Sequence, residues 1–118
     1  MIRRLDTGEV IVQRVEECDT FWKRGRGLMF HRSLGKEEAL FFVEKRESIL
    51  GTSIHMLFVF FPIAVIWLDA QKRVVDKKLA RPFRLYYAPQ RPAQYFLEGH
   101  PSLLERVQIG DQLDWANS

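Results

Sequence analysis

Residues 10–15 alternate across two faces, with Val10 and Val12 on one and Ile11, Gln13 and Val15 on the other. A period of two marks a strand, and apolar residues on both faces leave it no clean outer side. Ala39-Leu40-Phe41-Phe42-Val43 predicts a second strand. The apolar run Ile54–Leu68 predicts two more, over 54–60 and 63–69, parted near Phe61-Pro62 because proline cannot donate to a sheet ladder. That run falls short of the roughly 20 residues a spanning helix needs and is rich in strand-forming Phe, Val and Ile, so no membrane span is expected. Asp69-Ala70-Gln71-Lys72 reads as a tight turn into a strand over 73–79, making a hairpin. Further strands are expected over 93–98 and after the Gly110-Asp111 turn, ending near Trp115. Asp19-Thr20 suits a helix N-cap before Phe21-Trp22-Lys23-Arg24, with Gly25 and Gly27 as stops. Residues 101–106 suit one helical turn. Residues 44–51 and 81–91 read as loops, the latter bounded by Pro82 and Pro89.

About seven short strands and one or two short helices make the expected class mainly β (α+β). The expected form is a mostly antiparallel, barrel-like sheet, since closure would remove sticky strand edges. The 118 residues, 47% hydrophobic and 28% charged, suit one domain over 1–118. This balance excludes a disordered or collagen-like chain. A single cysteine, Cys18, excludes an intrachain disulfide, and its acidic flanks Glu16, Glu17 and Asp19 disfavour a reactive thiolate. The two arginines at positions 3 and 4 are followed by Asp6 and Glu9 instead of an apolar stretch. A cytoplasmic protein is therefore expected.

Catalytic and cofactor motifs are sparse. His31, His55 and His100 have no metal-ligand spacing, and no metal or cofactor is expected. Ser33, Ser48, Ser53, Ser102 and Ser118 lie in no nucleophile elbow, and no phosphate-binding glycine loop occurs.

Charge distribution changes the picture more. The net charge of +3 hides a stretch, residues 70–97, with seven basic residues against one acid, offset by an acidic C-terminal stretch. Arg81, Arg84 and Arg91 fall in the Pro-bounded loop beside Tyr86 and Tyr87, with Phe83 and Tyr95 in the same stretch. Arginine forks grip carboxylate or phosphate, and aromatic faces stack on unpaired bases. The plainer alternative is that the lysines solvate a hairpin while the tyrosines pack the loop down.

Several segments together resemble one family. Arg26-Gly27-Leu28-Met29-Phe30-His31-Arg32 resembles the Gly-Leu-Met-x-x-Arg signature of the domain of unknown function 192 (DUF192) family. Ser53–Phe58 with Phe61-Pro62-Ile63 is similar to a second block, Leu68–Val75 to a third, Ala93–Glu98 to a fourth and Ile109-Gly110-Asp111 to a fifth. The blocks follow in order over residues 10–115. The resemblance implies a small strand-rich domain and no established activity. Ala64 departs from it, standing where the family often has an acidic residue.

The expected function is a non-enzymatic binding or accessory module for an anionic small molecule or protein partner. Its ligand-facing residues would be Arg81, Arg84, Tyr86, Tyr87 and Arg91, with Arg26, Arg32 and Glu98. Two alternatives stand beside it. One is a hydrolase or lyase on an anionic substrate, with Glu98 or Asp69 as general acid or base in a shared cleft and Arg91 holding substrate. The other, less favoured, is a single-stranded nucleic-acid-binding barrel. An exposed patch of Phe58, Phe60, Phe61 and Trp67 would instead indicate a protein-interaction module.

Overall fold

The computed structural model describes residues 1–18, 35–54, 56, 61–84 and 86–115. Eight strands run through these segments. β1 (Ile2–Arg4), β2 (Val10–Val12) and β8 (Leu113–Trp115) make an antiparallel sheet in the order β2-β1-β8. β3 (Arg14–Cys18), β4 (Glu38–Ser48), β5 (Ile63–Leu68), β6 (Val74–Ala80) and β7 (Ala93–Gly99) make the larger sheet, in the order β3-β4-β7-β5-β6. One helical turn, α1 (Leu103–Arg106), follows β7.

The mainly β class is what the residue pattern predicts, but the barrel closure is not. Among the described residues both sheets stay open, and β3 joins β4 in parallel. The reason lies in how the apolar faces are covered. Ala39, Phe41, Ala64, Ile66, Leu68 and Leu97 on one face of the large sheet pack with Ile2, Ile11, Val12 and Leu113 of the small sheet and Leu103 of α1. Leu40, Phe42, Val65, Trp67 and Phe96 on the other face pack with Ile54, Met56 and Tyr87. With a layer on each face, the large sheet needs no closure, and β5 is buried at every position. Trp67 is wholly buried and donates its indole N–H to the Thr52 carbonyl at 2.7 Å.

Other departures from the predicted elements are local. The pattern at 10–15 splits at Gln13 into β2 and β3, which serve different sheets, so apolar residues on both faces reflect a sheet switch. β4 runs on through charged residues read as a loop, because Ser48 still pairs with Ala93. β1 carries no predictive pattern, yet Ile2 is buried between its neighbours. The helix predicted over 21–24 and most of the strand predicted over 54–60 lie outside the described residues.

A bulge in the β5–β6 hairpin matters for the loop that follows. Trp67 pairs with Asp76, but Leu68 pairs with Val74, leaving Val75 unpaired. The extra residue reverses the facing, so Asp76 shares the Trp67 face while Val74 joins the opposite core. Asp69 caps the hairpin turn, its Oδ1 accepting from the backbone N–H groups of Gln71 and Arg73. Lys72 at that turn has φ +65°.

Candidate functional site: a clamped basic loop

The loop joining β6 to β7 holds Arg81, Arg84 and Arg91 and no acidic residue. Hydrogen bonds hold it at both ends and in the middle. The Arg81 N–H donates to the Tyr87 hydroxyl at 2.8 Å, closing the first half into a ring. Tyr87 and Ile54 exchange backbone hydrogen bonds at 2.8 and 2.9 Å. Met56 donates to the Arg84 carbonyl at 2.8 Å and accepts from Phe83 at 2.9 Å. The backbones of Ile54 and Met56 thus serve as partners for the loop, and Tyr87, 9% exposed, roots it in the core. The far end is held from β6, where Asp76 Oδ2 accepts the Gln90 N–H at 3.0 Å and Lys78 Nζ donates to the Ala88 carbonyl at 2.5 Å.

What the clamps leave outward is the basic and aromatic set. Arg81, Arg84, Tyr86 and Arg91 are exposed, as is Phe83. None of the three arginines forms an ion pair among the described residues. The guanidinium of Arg84 lies over the Tyr87 ring, 5.2 Å from its centroid. Phe83 has φ +65°, a conformation bulky side chains rarely adopt. Its backbone is held there by the bond to Met56.

The structure therefore separates the predicted site residues. Arg81, Arg84, Tyr86 and Arg91 share one exposed loop, while Tyr87 is its buried anchor. Arg26 and Arg32 lie outside the described residues. Glu98 belongs elsewhere, in β7 between Leu40 of β4 and Val65 of β5, on the apolar face that carries Phe96. It is 6% exposed, and among the described residues nothing hydrogen-bonds or ion-pairs with its carboxyl. Burial pushes that group up to about 8. Glu98 therefore does not join the exposed arginines of the loop, because the strand alternation turns it onto an apolar face.

The shared cleft for Glu98 and Asp69 is also absent. Glu98 sits opposite Val65, whereas Asp69 lies four residues further along the chain, about 13 Å at strand rise, and is engaged in its own turn. Asp111 is a turn former too, its Oδ2 accepting from the Gln108 N–H at 2.8 Å and pairing with Arg4. Asp111 favours the charged form of the Arg4 guanidinium and raises its pKa. Nor does the aromatic interaction patch form from the residues described: Trp67 is buried and Phe61 packs half-buried against the core. Phe58 and Phe60 lie outside the described residues. His100 binds locally, its Nδ1 accepting from the Ser102 N–H at 3.1 Å. No cluster of three metal-ligating side chains occurs among the described residues, and no helix among them is long and apolar enough to cross a membrane.

Two residues important to the loop are missed by sequence reasoning. In the sequence Asp76 is only the lone acid of the basic stretch, and its inward position depends on the bulge. Phe83 is one aromatic among several in that stretch, and no local signal marks its backbone conformation.

Fold and loop together define a small mixed-β domain with two open sheets and a fastened basic loop on one face. The chain belongs to the DUF192 family, described as "Uncharacterized ACR", whose model matches residues 3–115. A UPF0127 protein of Thermococcus kodakarensis is 43% identical over 104 residues, 86% of this chain and 64% of that protein. The chain thus spans somewhat less than two thirds of that relative's length. A UPF0127 protein of Pyrococcus furiosus is 39% identical over 110 residues, covering 92% of this chain and 91% of the relative. A crystal structure of a protein of unknown function from Novosphingobium aromaticivorans superposes with a TM-score of 0.84 at 24% identity, covering 97% of this chain and 83% of the other. That likeness shows the fold.

Proposed function

We propose that this domain is a non-enzymatic binding module that takes an anionic ligand or partner on the 81–91 loop. The observation that carries the reading is the exposure of its cations without a carboxylate partner among the described residues. Arg81, Arg84 and Arg91 are exposed on a backbone fastened by Tyr87, Asp76 and Lys78, and none is engaged by a carboxylate among the described residues. Fastening lowers the ordering cost of binding, because the loop need not be immobilised when the ligand arrives. Guanidinium groups supply the fork geometry that carboxylate and phosphate accept. The enzymatic alternative loses its support with the separation of Glu98 from Asp69.

Elution from immobilised heparin, a general polyanion, tests this reading. Replacing Arg81, Arg84 and Arg91 by Gln removes three charges from the loop. Replacing exposed Lys36, Lys45 and Arg46 by Gln removes three from elsewhere. The loop variant is expected to elute at clearly lower salt than the control variant. Equal elution of the two would show net charge alone at work and overturn the reading.

A further inference from the structure

We infer that the partner of the 81–91 loop is an acidic segment of another protein, its carboxylates gripped by Arg81, Arg84 and Arg91 and an apolar side chain of it packed on Leu50 and Ile49. This rests on the reading of the loop as an anion site and deepens it.

Two pairings bring the apolar and the basic residues together. Ser48 at the end of β4 pairs with Ala93 at the start of β7, and Ile54 pairs with Tyr87. Residues 48–54 therefore run antiparallel beside 87–93, the far half of the loop. Leu50 and Arg91 each stand two residues from the Ser48–Ala93 pair, at most about 7 Å of chain. Trp67 ties the two segments to one point. Its indole N–H binds the Thr52 carbonyl at 2.7 Å, and the ammonium of Lys78, 5.8 Å from its ring centroid, binds the Ala88 carbonyl.

The turn that carries Leu50 is closed by its own side chains. Ser48 Oγ accepts the Gly51 N–H at 2.9 Å, and Thr52 Oγ1 donates to the Ser48 carbonyl at 2.7 Å. Ser53 donates to the Leu50 carbonyl through its N–H at 3.2 Å and its hydroxyl at 2.7 Å. Thr52 is wholly buried, yet Leu50 is 76% and Ile49 40% exposed. Among the described residues no large apolar side chain is more exposed than Leu50. An apolar pair held in water on a fastened turn gains by burial against a partner's apolar group.

The partner must therefore bring negative charge and an apolar group at once. Inorganic phosphate, heparin and the backbone of a nucleic acid supply charge but no aliphatic group to cover Leu50. An anionic bilayer supplies both, but Leu50 and Ile49 together carry fewer side-chain carbons than one myristoyl chain, which alone binds membranes only marginally. An acidic protein segment has carboxylates for the guanidinium forks and apolar side chains a few residues away.

Selection of a random-peptide library displayed on phage, with the intact protein immobilised, tests the inference. Enriched peptides should carry several Asp or Glu beside a Leu, Ile or Phe. Their synthetic, labelled forms then report affinity by fluorescence anisotropy. Leu50→Ser keeps the backbone carbonyl that closes the turn and should weaken binding roughly tenfold. Ile109→Ser removes an apolar side chain 60% exposed elsewhere and should leave binding unchanged. The triple Gln variant of the loop arginines should weaken binding and flatten its dependence on salt. No enrichment, or enrichment of peptides without acidic residues, would overturn the inference. So would a Leu50→Ser protein of undiminished affinity, or phosphatidylglycerol vesicles that bind as tightly as the peptides and lose as much with Leu50→Ser. If arginine-dependent retention on heparin persists while no acidic peptide binds, this inference fails and the anion site stands. If that retention is also absent, the anion site fails with it.

Discussion

Asp76 reaches from β6 to the far end of the basic loop and accepts the backbone N–H of Gln90 at 3.0 Å. Its other oxygen accepts the Lys77 N–H at 2.8 Å, and Lys78 lies 3.7 Å away as counter-ion. A carboxylate only 4% exposed is thus satisfied by two amides and one ammonium. The same ammonium binds the Ala88 carbonyl, so strand and loop are tied by one small network.

Removing the carboxylate should release the loop. Asp76→Ala strands the Gln90 amide and deprives Lys78 of its counter-ion, at a cost of about 2 kcal/mol in stability. Hydrogen exchange at Gln90 should accelerate well beyond any change at core amides such as Leu97. Uniform acceleration across the chain would show that the residue supports the whole fold instead of the loop.

Glu98 predicts a pH dependence of opposite sign to that of a salt-bridged acid. Burial raises its pKa from the ordinary 4.5 to about 8, so the folded protein keeps a proton that the unfolded chain releases. The associated stability is fully present below pH 4.5 and is lost as pH rises through 8, at up to about 1.4 kcal/mol per pH unit. Glu98→Gln removes the titration while keeping the shape. Urea unfolding should find the variant more stable than the parent at pH 9 and close to it at pH 5. Parallel stability curves for the two proteins would contradict this account.

Lys77 points to the other face, where its ammonium binds the carbonyls of Leu104 and Val107 at 2.6 and 2.9 Å. These carbonyls belong to the end of α1, which a positive charge favours. Lys77→Met keeps an apolar stem but loses the donors, and should cost roughly 1–2 kcal/mol in thermal or denaturant unfolding. Exposed Lys45→Met serves as the reference and should change stability by less than about 0.5 kcal/mol.

Legibility followed the range of the forces involved. The hairpin of β5 and β6 was readable because Asp69 caps its turn within four residues and the apolar run is continuous. β1 was not, since three residues with one apolar side chain carry no period, and Ile2 becomes core only by pairing with β2 and β8. Arg81, Arg84, Tyr86 and Arg91 were readable as one loop because proline bounds and charge are local properties. The placement of Glu98 was not, because being unpaired depends on what β4 and β5 bring beside it.

The sequence by itself determined a strand-rich chain, its family, the hairpin turn and the concentration of positive charge between β6 and β7. These follow from side-chain alternation, turn chemistry and composition, all of which act over a few residues. Only the tertiary structure decided that the sheets remain open, that Tyr87 anchors while Phe83 and Tyr86 face outward, and that Asp76 fastens the loop while Glu98 sits apart. Each of those outcomes depends on contacts between strands distant in sequence, and a single bulged residue, Val75, was enough to choose the face on which Asp76 acts.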